Sequence, residues 1–316
     1  MEQLFRKIMN IIFMGTPDFA VPSLKALIDS KYNVIGVVCQ PDRPSGRGRK
    51  LTSPPVKIIA EANSIPVLQP EKIKTDEFFE EIKSFNPDLI CVTAYGKIIP
   101  PNILELPKYG CVNVHASLLP KYRGAAPINW AIIYGEKTTG ITTMLMDEGM
   151  DTGDILLKKE IEIGEDDTSI ELSEKLSRVG ANLLIETIEK GQNDEIEPIK
   201  QNNSEATSAP IIKKDVGRID WNKSADKIRN LIRGTQPWPG AFTSYNGKNL
   251  KIFKASVNSL NGDPGKVLVS DGGKLVIGTG QKSLDIEEIQ IEGGKRLPTE
   301  LFLRGNKMDV EYILGE

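Results

Sequence analysis

The sequence predicts an α/β doubly wound sheet followed by a smaller all-β domain. Three observations predict it. Short apolar, β-branched runs alternate with amphipathic stretches through the first half, a polar stretch interrupts the pattern near residue 200, and short strands with close-set turn signals fill the remainder. A length of 316 residues suits two domains better than one.

Residues 8–14, 34–39, 89–93 and 112–114 read as buried strands of a parallel sheet, because their apolar residues run continuously instead of alternating. The stretches 19–29, 55–62, 75–85 and 125–134 are the helices expected between and after them, and 160–163 reads as a further strand. The cluster Asp166-Asp167-Thr168-Ser169 is a natural cap, and Leu172, Leu176, Val179 and Leu183 share one face of the helix it opens. Asn, Gln, Glu and Ser dominate 191–209, which is expected to be a linker between a first domain, 1–190, and a second, 210–316. In the second, a short helix over 225–233 precedes Pro237-Trp238-Pro239. Turn signals at Asn246-Gly247, Asp263-Pro264-Gly265 and Asp271-Gly272-Gly273 then space the short strands of a small β-barrel.

A hydrophobic content of 39% and a charged content of 26% exclude a largely disordered chain. No apolar run approaches the ~18–20 residues of a membrane span, and the opening residues carry neither the apolar core nor the cleavage site of a secretory signal. Cys39, Cys91 and Cys111 lie far apart in apolar runs, an odd and sparse set that builds no disulfide framework and fits a reducing cytoplasm. One histidine and no Cys-x-x-Cys leave no basis for a metal site. Net charge is −3, yet residues 211–316 hold 17 Lys+Arg against 13 Asp+Glu. A local basic run, Arg43, Arg47, Arg49 and Lys50, outweighs Asp42 between residues 40 and 50.

Gly15-Thr16-Pro17 follows the first strand, but Gly-x-Gly-x-x-Gly is absent and Pro17 removes an amide, so a tight turn is expected there and no nucleotide site. The informative segment is Cys-Val-Asn-Val-His over 111–115. Asn113 and His115, two apart on a strand, leave the same face, at the carboxyl end where open α/β sheets place ligands. An amide donor beside an imidazole is able to hold a developing oxyanion; a buried histidine bonded to a backbone carbonyl is the alternative. In Met146–Gly153, Asp147, Asp151 and the adjoining Asp154 sit among glycines, and a carboxylate from this set near His115 would raise the imidazole pKa and accept a proton. Spacing alone does not choose among the three.

Asn113-Val114-His115-Ala116-Ser117-Leu118-Leu119-Pro120, followed by Tyr122-Arg123-Gly124-Ala125-Ala126-Pro127, resembles the signature of the folate-dependent formyltransferases. Gly15-Thr16-Pro17-Asp18-Phe19-Ala20, Gln40-Pro41-Asp42-Arg43-Pro44 with Gly46-Arg47-Gly48, and Met150-Asp151-Thr152-Gly153-Asp154 are similar to the branch of that family that formylates methionyl-tRNA, as are Ile219-Asp220-Trp221 and Pro237-Trp238-Pro239. The resemblance covers nearly the whole chain. It implies a Rossmann-like catalytic domain and an OB-fold-like β-barrel that contacts tRNA, with 10-formyltetrahydrofolate as co-substrate, initiator methionyl-tRNA as partner, no metal and a monomeric enzyme. It further implies Asn113, His115 and Asp151 as the catalytic set, Ser117, Leu118, Leu119 and Pro120 as the shapers of the folate site, and Arg43, Arg47 and Lys50 as tRNA contacts on a mobile loop. Glycinamide-ribonucleotide and amino-sugar formyltransferases share the Asn–x–His and Asp features, but do not call for the Arg47 loop.

Overall fold

The computed structural model describes residues 8–45 and 50–315, with the side chains of Ser45 and Lys50 excepted. The chain divides into two compact units: Met1–Ala125 with Thr138–Glu162 and Ser173–Ala209, and Ala126–Lys137 with Ile163–Leu172 and Pro210–Glu316.

The first unit is built on a seven-stranded sheet. In chain order it holds β1 (Asn10–Gly15), α1 (Val21–Ile28), β2 (Asn33–Val38), the short pair β3 (Arg43–Ser45) and β4 (Lys50–Thr52), α2 (Pro55–Ala62), β5 (Val67–Leu68), α3 (Asp76–Ser84), β6 (Leu89–Thr93), α4 (Pro101–Leu104) and β7 (Cys111–His115). After α5 (Pro127–Tyr134), which belongs to the second unit, come β8 (Thr138–Leu145), β9 (Ile155–Glu162) and α6 (Ser169–Gln192), of which Ser173 onward belongs to the first unit. The strand order is β5-β2-β1-β6-β7-β8-β9. Strands β5 to β7 pair in parallel as expected, whereas β8 and β9 are antiparallel. The chain turns from one side of β1 to the other between β2 and β6, which makes the carboxyl ends of β1 and β6 a topological switch point.

Helix boundaries follow local chemistry. Thr75 caps α3 by accepting the Phe78 amide, and Pro stands within the first turn of α1, α2, α4 and α5, where a missing N–H costs nothing. On one face of the sheet, Ile12, Met14, Ile90, Val92 and Cys111 form a buried cluster with Phe78 and Ile82 of α3 and Ile103 and Leu104 of α4. On the other, Gly180 of α6 lies so close to Val114 that an added Cβ would come within 2.8 Å of its side chain. The cysteines are buried and unbridged; burial pushes the Cys39 thiol up to about 11 and the Cys111 thiol up to about 12, so both stay protonated at neutral pH.

Strand β8 is not legible in the sequence because Thr-Thr-Gly-Ile-Thr-Thr is not an apolar run. In the sheet its inner threonines are buried with their hydroxyls satisfied: Thr143 and Thr187 share a hydrogen bond of 2.8 Å, and Thr142 bonds to backbone. The segment 191–209, expected as a linker, packs with the first unit. Ile199 bridges Ile155, Ser208 bridges Arg123, and the Gln201 side chain binds backbone carbonyls.

The second unit carries α7 (Ala225–Gly234), β10 (Ala241–Tyr245), β11 (Lys248–Asn258), β12 (Val267–Asp271), β13 (Lys274–Gly278), β14 (Ser283–Ile291), β15 (Leu297–Pro298) and α8 (Thr299–Gly305). Its strands are antiparallel in the order β10-β11-β14-β13-β12, with β15 on β14. Trp221, Ile228, Ile232, Leu250, Ile252, Leu275, Ile286 and Phe302 lie in one core, each large aliphatic side chain contributing roughly 1.5–3 kcal/mol by burial. Helix α5 clusters with this unit. Asn129 donates to the Gly234 carbonyl at 2.7 Å, and Arg229 pairs with Asp166 at 2.7 Å, which ties the segment before α6 to α7. Among the described residues no helix is long and apolar enough to cross a membrane.

Gly140 of β8 tests this packing. A Cβ there would lie 2.2 Å from the Lys159 carbonyl oxygen and 2.6 Å from Leu118. Gly140→Ala is expected to cost about 1–3 kcal/mol through overpacking, read as a lowered urea midpoint at equilibrium; an unchanged midpoint would show that the β8–β9 ladder yields without cost.

Candidate active site

Strand β7 brings Asn113 and His115 to the same face, 9% and 6% exposed. Among the described residues the Asn113 side-chain amide has no hydrogen-bond partner, and its polar atoms are not sealed from solvent, so they are open to a ligand's oxygen. The imidazole of His115 has two neighbours. Its Nε2 lies 3.0 Å from the Tyr122 carbonyl oxygen, which only accepts, so this nitrogen carries a proton. Its Nδ1 lies 3.6 Å from Asp151 Oδ2, close enough for charge to act and too long for a direct hydrogen bond.

Asp151 stands in the loop from β8 to β9 with φ +54°, a left-handed conformation that costs an L-residue about 1–2 kcal/mol and that Asp adopts more readily than most. Its Oδ2 accepts the Gly124 amide at 2.8 Å, and its Oδ1 carries no hydrogen bond among the described residues. Asp147, by contrast, accepts from the Gly149 amide at 3.1 Å and the Thr152 hydroxyl at 2.6 Å, an Asx-turn that shapes the same loop. Of the three sequence candidates, Asp151 is the one paired with His115 among the described residues.

Both neighbours of this pair come from the turn 118–125. Tyr122 and Gly124 have φ of +61° and +122°, and a Cβ at Gly124 would stand 2.6 Å from the Ala209 carbonyl oxygen, so no larger residue fits. The turn is braced by 207–209: Thr207 accepts the Tyr122 amide on its hydroxyl at 2.8 Å, the Arg123 amide donates to the Thr207 carbonyl at 2.8 Å, and the Ala209 amide to the Arg123 carbonyl at 2.7 Å.

Among the residues expected to shape a folate site, Ser117 and Leu119 are fully buried. Ser117 Oγ donates to the Lys121 carbonyl at 2.6 Å, and Leu119 packs with Met144 and Ile155. Their side chains serve the fold, so the surface available to a ligand is backbone with the partly exposed Leu118 and Pro120. Thr142, which sequence reasoning missed, fastens this turn: its hydroxyl donates to the Ser117 carbonyl at 2.7 Å and accepts the Leu119 amide at 3.0 Å.

Arg43 is exposed and begins the β3–β4 hairpin, in which Arg43 pairs with Thr52 and Ser45 with Lys50. Arg47 lies outside the described residues, as does the Lys50 side chain. The base of the hairpin is anchored through Asp42, which accepts from Gln69 at 2.7 Å, Lys57 at 3.0 Å and Ser53 at 2.9 Å; the Gln69 bond, then Lys57, holds its carboxyl below the usual carboxylate range. Thr16, Gln40, Arg43, Gly96 and Lys97 line a cavity of about 570 Å³ beside this hairpin, at the carboxyl ends of β1, β2 and β6. Among the described residues, no group of three or more His, Cys, Asp or Glu side chains is arranged to hold a metal ion.

Residues 7–188 match the family described as "Formyl transferase", and residues 211–307 match "Formyl transferase, C-terminal domain". A methionyl-tRNA formyltransferase of Alkaliphilus oremlandii is 54% identical over 310 residues, 98% of this chain and 100% of that one. Among solved structures, the methionyl-tRNA formyltransferase from Clostridium thermocellum aligns over 91% of this chain and 100% of its own, with TM-score 0.57 and 23% identity. HypX from Aquifex aeolicus in complex with tetrahydrofolic acid aligns over 97% of this chain with TM-score 0.63 and 19% identity, and this chain spans 51% of its length. At these identities the two structures share the fold.

Replacing Thr142 by Val keeps the side-chain volume but leaves the Ser117 carbonyl and the Leu119 amide without their partner. Thr142→Val is expected to lose about 1–3 kcal/mol in equilibrium unfolding. A variant of parental stability would show that the turn keeps its shape without this bond.

Proposed function

The chain belongs to the formyl transferase family, and on that premise we propose that it transfers the formyl group of 10-formyltetrahydrofolate to the amino group of initiator methionyl-tRNA in the cytoplasm. The observation that carries the chemistry is the pairing of His115 with Asp151 at the carboxyl end of β7, with Asn113 on the same face of the strand.

Formyl transfer to an amine is acyl transfer. The amine nitrogen bonds to the formyl carbon, negative charge builds on the formyl oxygen and the nitrogen loses a proton; the C=O then re-forms as the bond from carbon to the folate nitrogen breaks and that nitrogen takes up a proton. The Asn113 amide, without a partner among the described residues and open to a ligand, is suited to the developing oxyanion, a role in which one lost donor typically costs about 3–4 kcal/mol. The Tyr122 carbonyl occupies Nε2 of His115, so the contribution of this ring to the oxyanion falls to Nδ1 in its protonated form. Asp151 faces that nitrogen across 3.6 Å, and its uncommitted Oδ1 is placed to take the amine proton, directly or through water. The remainder of the acceleration is positioning of two large substrates.

The tRNA half of the proposal rests on relatives 54% identical over nearly the full chain and on the basic hairpin from Arg43 to Lys50. Arg43, Arg47 and Lys50 are assigned to the acceptor stem and residues 211–316, with their excess of Lys and Arg, to more of the tRNA, which makes the binding salt-dependent.

The direct test is to incubate the purified chain with 10-formyltetrahydrofolate and either methionyl-tRNA or free small amines. Product on methionyl-tRNA alone is expected; product only on a sugar or nucleotide amine would keep the chemistry and remove the tRNA assignment. Asp151→Asn is expected to abolish transfer while folate binding, measured by fluorescence quenching, is nearly unchanged. Arg47→Ala is expected to raise the KM for tRNA far more than that for folate, and equal effects on both would remove the acceptor-stem assignment.

A further inference from the structure

Gln201 lies in the polar segment that the sequence presents as a linker, yet its side chain uses its full hydrogen-bonding capacity. Its amide nitrogen donates to the Asp151 carbonyl at 2.9 Å and to the Gly153 carbonyl at 2.7 Å. Its amide oxygen accepts from both Nε and Nη2 of Arg123, at 3.1 and 2.8 Å. A primary amide offers two N–H groups and two lone pairs, and here each has a partner. The donor end grips the loop that carries Asp151, and the acceptor end grips the residue between Tyr122 and Gly124, whose backbone groups hold His115 and Asp151. One side chain thus links both walls of the pair. Arg123 is steadied in turn by Asn203 Oδ1, 2.9 Å from Nη2, within the same polar segment.

We propose that Gln201 is a positioning residue: it clamps the Asp151 loop to the 118–125 turn and so sets the carboxylate of Asp151 against His115. The proposal rests on the reading that Asp151 acts in the transfer. Asp151 is in a left-handed conformation that the loop must be held into, and the two carbonyls gripped by Gln201, those of Asp151 and Gly153, flank the bend. The residue type follows from the partners. Glu at this position would keep an oxygen for Arg123 but turn its second oxygen toward two carbonyls, and a shorter Asn would not span the gap. Gln201 touches neither reacting group, so its effect reaches the reaction through the geometry of Asp151.

The test uses the full chain with 10-formyltetrahydrofolate and methionyl-tRNA, and compares Gln201→Glu, Gln201→Met and Asp151→Asn, with each rate referred to the folded fraction measured by thermal unfolding. The two Gln201 variants are expected to lower kcat on the order of 100-fold, the scale of an ångström's misplacement of a reacting group, with the folate KM unchanged. Gln201→Met, which keeps the length and brings no like-charge or oxygen–oxygen repulsion, covers the case in which Gln201→Glu does not fold. A kcat at the parental value in either folded variant overturns the proposal, as does a loss of rate that follows the unfolded fraction alone. An Asp151→Asn variant with parental kcat would remove the underlying reading instead, so the two failures are told apart by which variant stays active.

Discussion

Two backbone groups, the carbonyl of Tyr122 and the amide of Gly124, hold the imidazole and the carboxylate of the candidate site, and the rest of the arrangement depends on the turn that presents them. The polarity is matched at each end: an acceptor meets the ring N–H, a donor meets the carboxylate. That turn reverses sharply enough to need positive φ at both residues, and the strip 207–209 and the Thr142 hydroxyl pin it from two sides. The site is therefore only as well defined as a tight backbone turn, and the sheet's part is to deliver β7 to it.

The same arrangement explains why an ionisable pair is tolerated where His115 and Asp151 are mostly buried. An isolated carboxylate out of water is costly, and a single backbone amide with an imidazole 3.6 Å away offsets only part of that cost. Oδ1 of Asp151 and the amide of Asn113 are left without partners among the described residues. Neither group is sealed from solvent, so each keeps hydrogen-bonding capacity for a ligand's oxygen or proton.

The two compact units are not consecutive stretches of chain. Helix α5 and the segment Ile163–Leu172 cluster with the C-terminal sheet because their polar and ionic partners, Gly234, Arg229 and Arg233, belong to α7. The first unit, in turn, recovers 173–209. Each unit completes its core and its hydrogen bonds with residues from distant parts of the sequence, and each is stable for the same reasons as any packed layer of helix on sheet.

Local sequence determined a good deal on its own. Continuous apolar runs marked β1, β2, β6 and β7 to within a residue or two, the helices expected over 75–85 and 225–233 start within a residue of α3 and α7, and the two-residue spacing of Asn113 and His115 put both on one face of β7, because strand periodicity is a local property. Strand β8 was hidden because half of its buried positions are threonines, whose hydroxyls need partners that are remote in sequence. The choice of Asp151 over Asp147 as the partner of His115, the capture of Nε2 by Tyr122, and the conversion of an apparent linker into a brace were decided by tertiary structure alone. Each depends on polar contacts between residues some 7 to 50 positions apart, and polar composition, which reads the same whether a side chain meets water or a backbone carbonyl, carries no record of that partner.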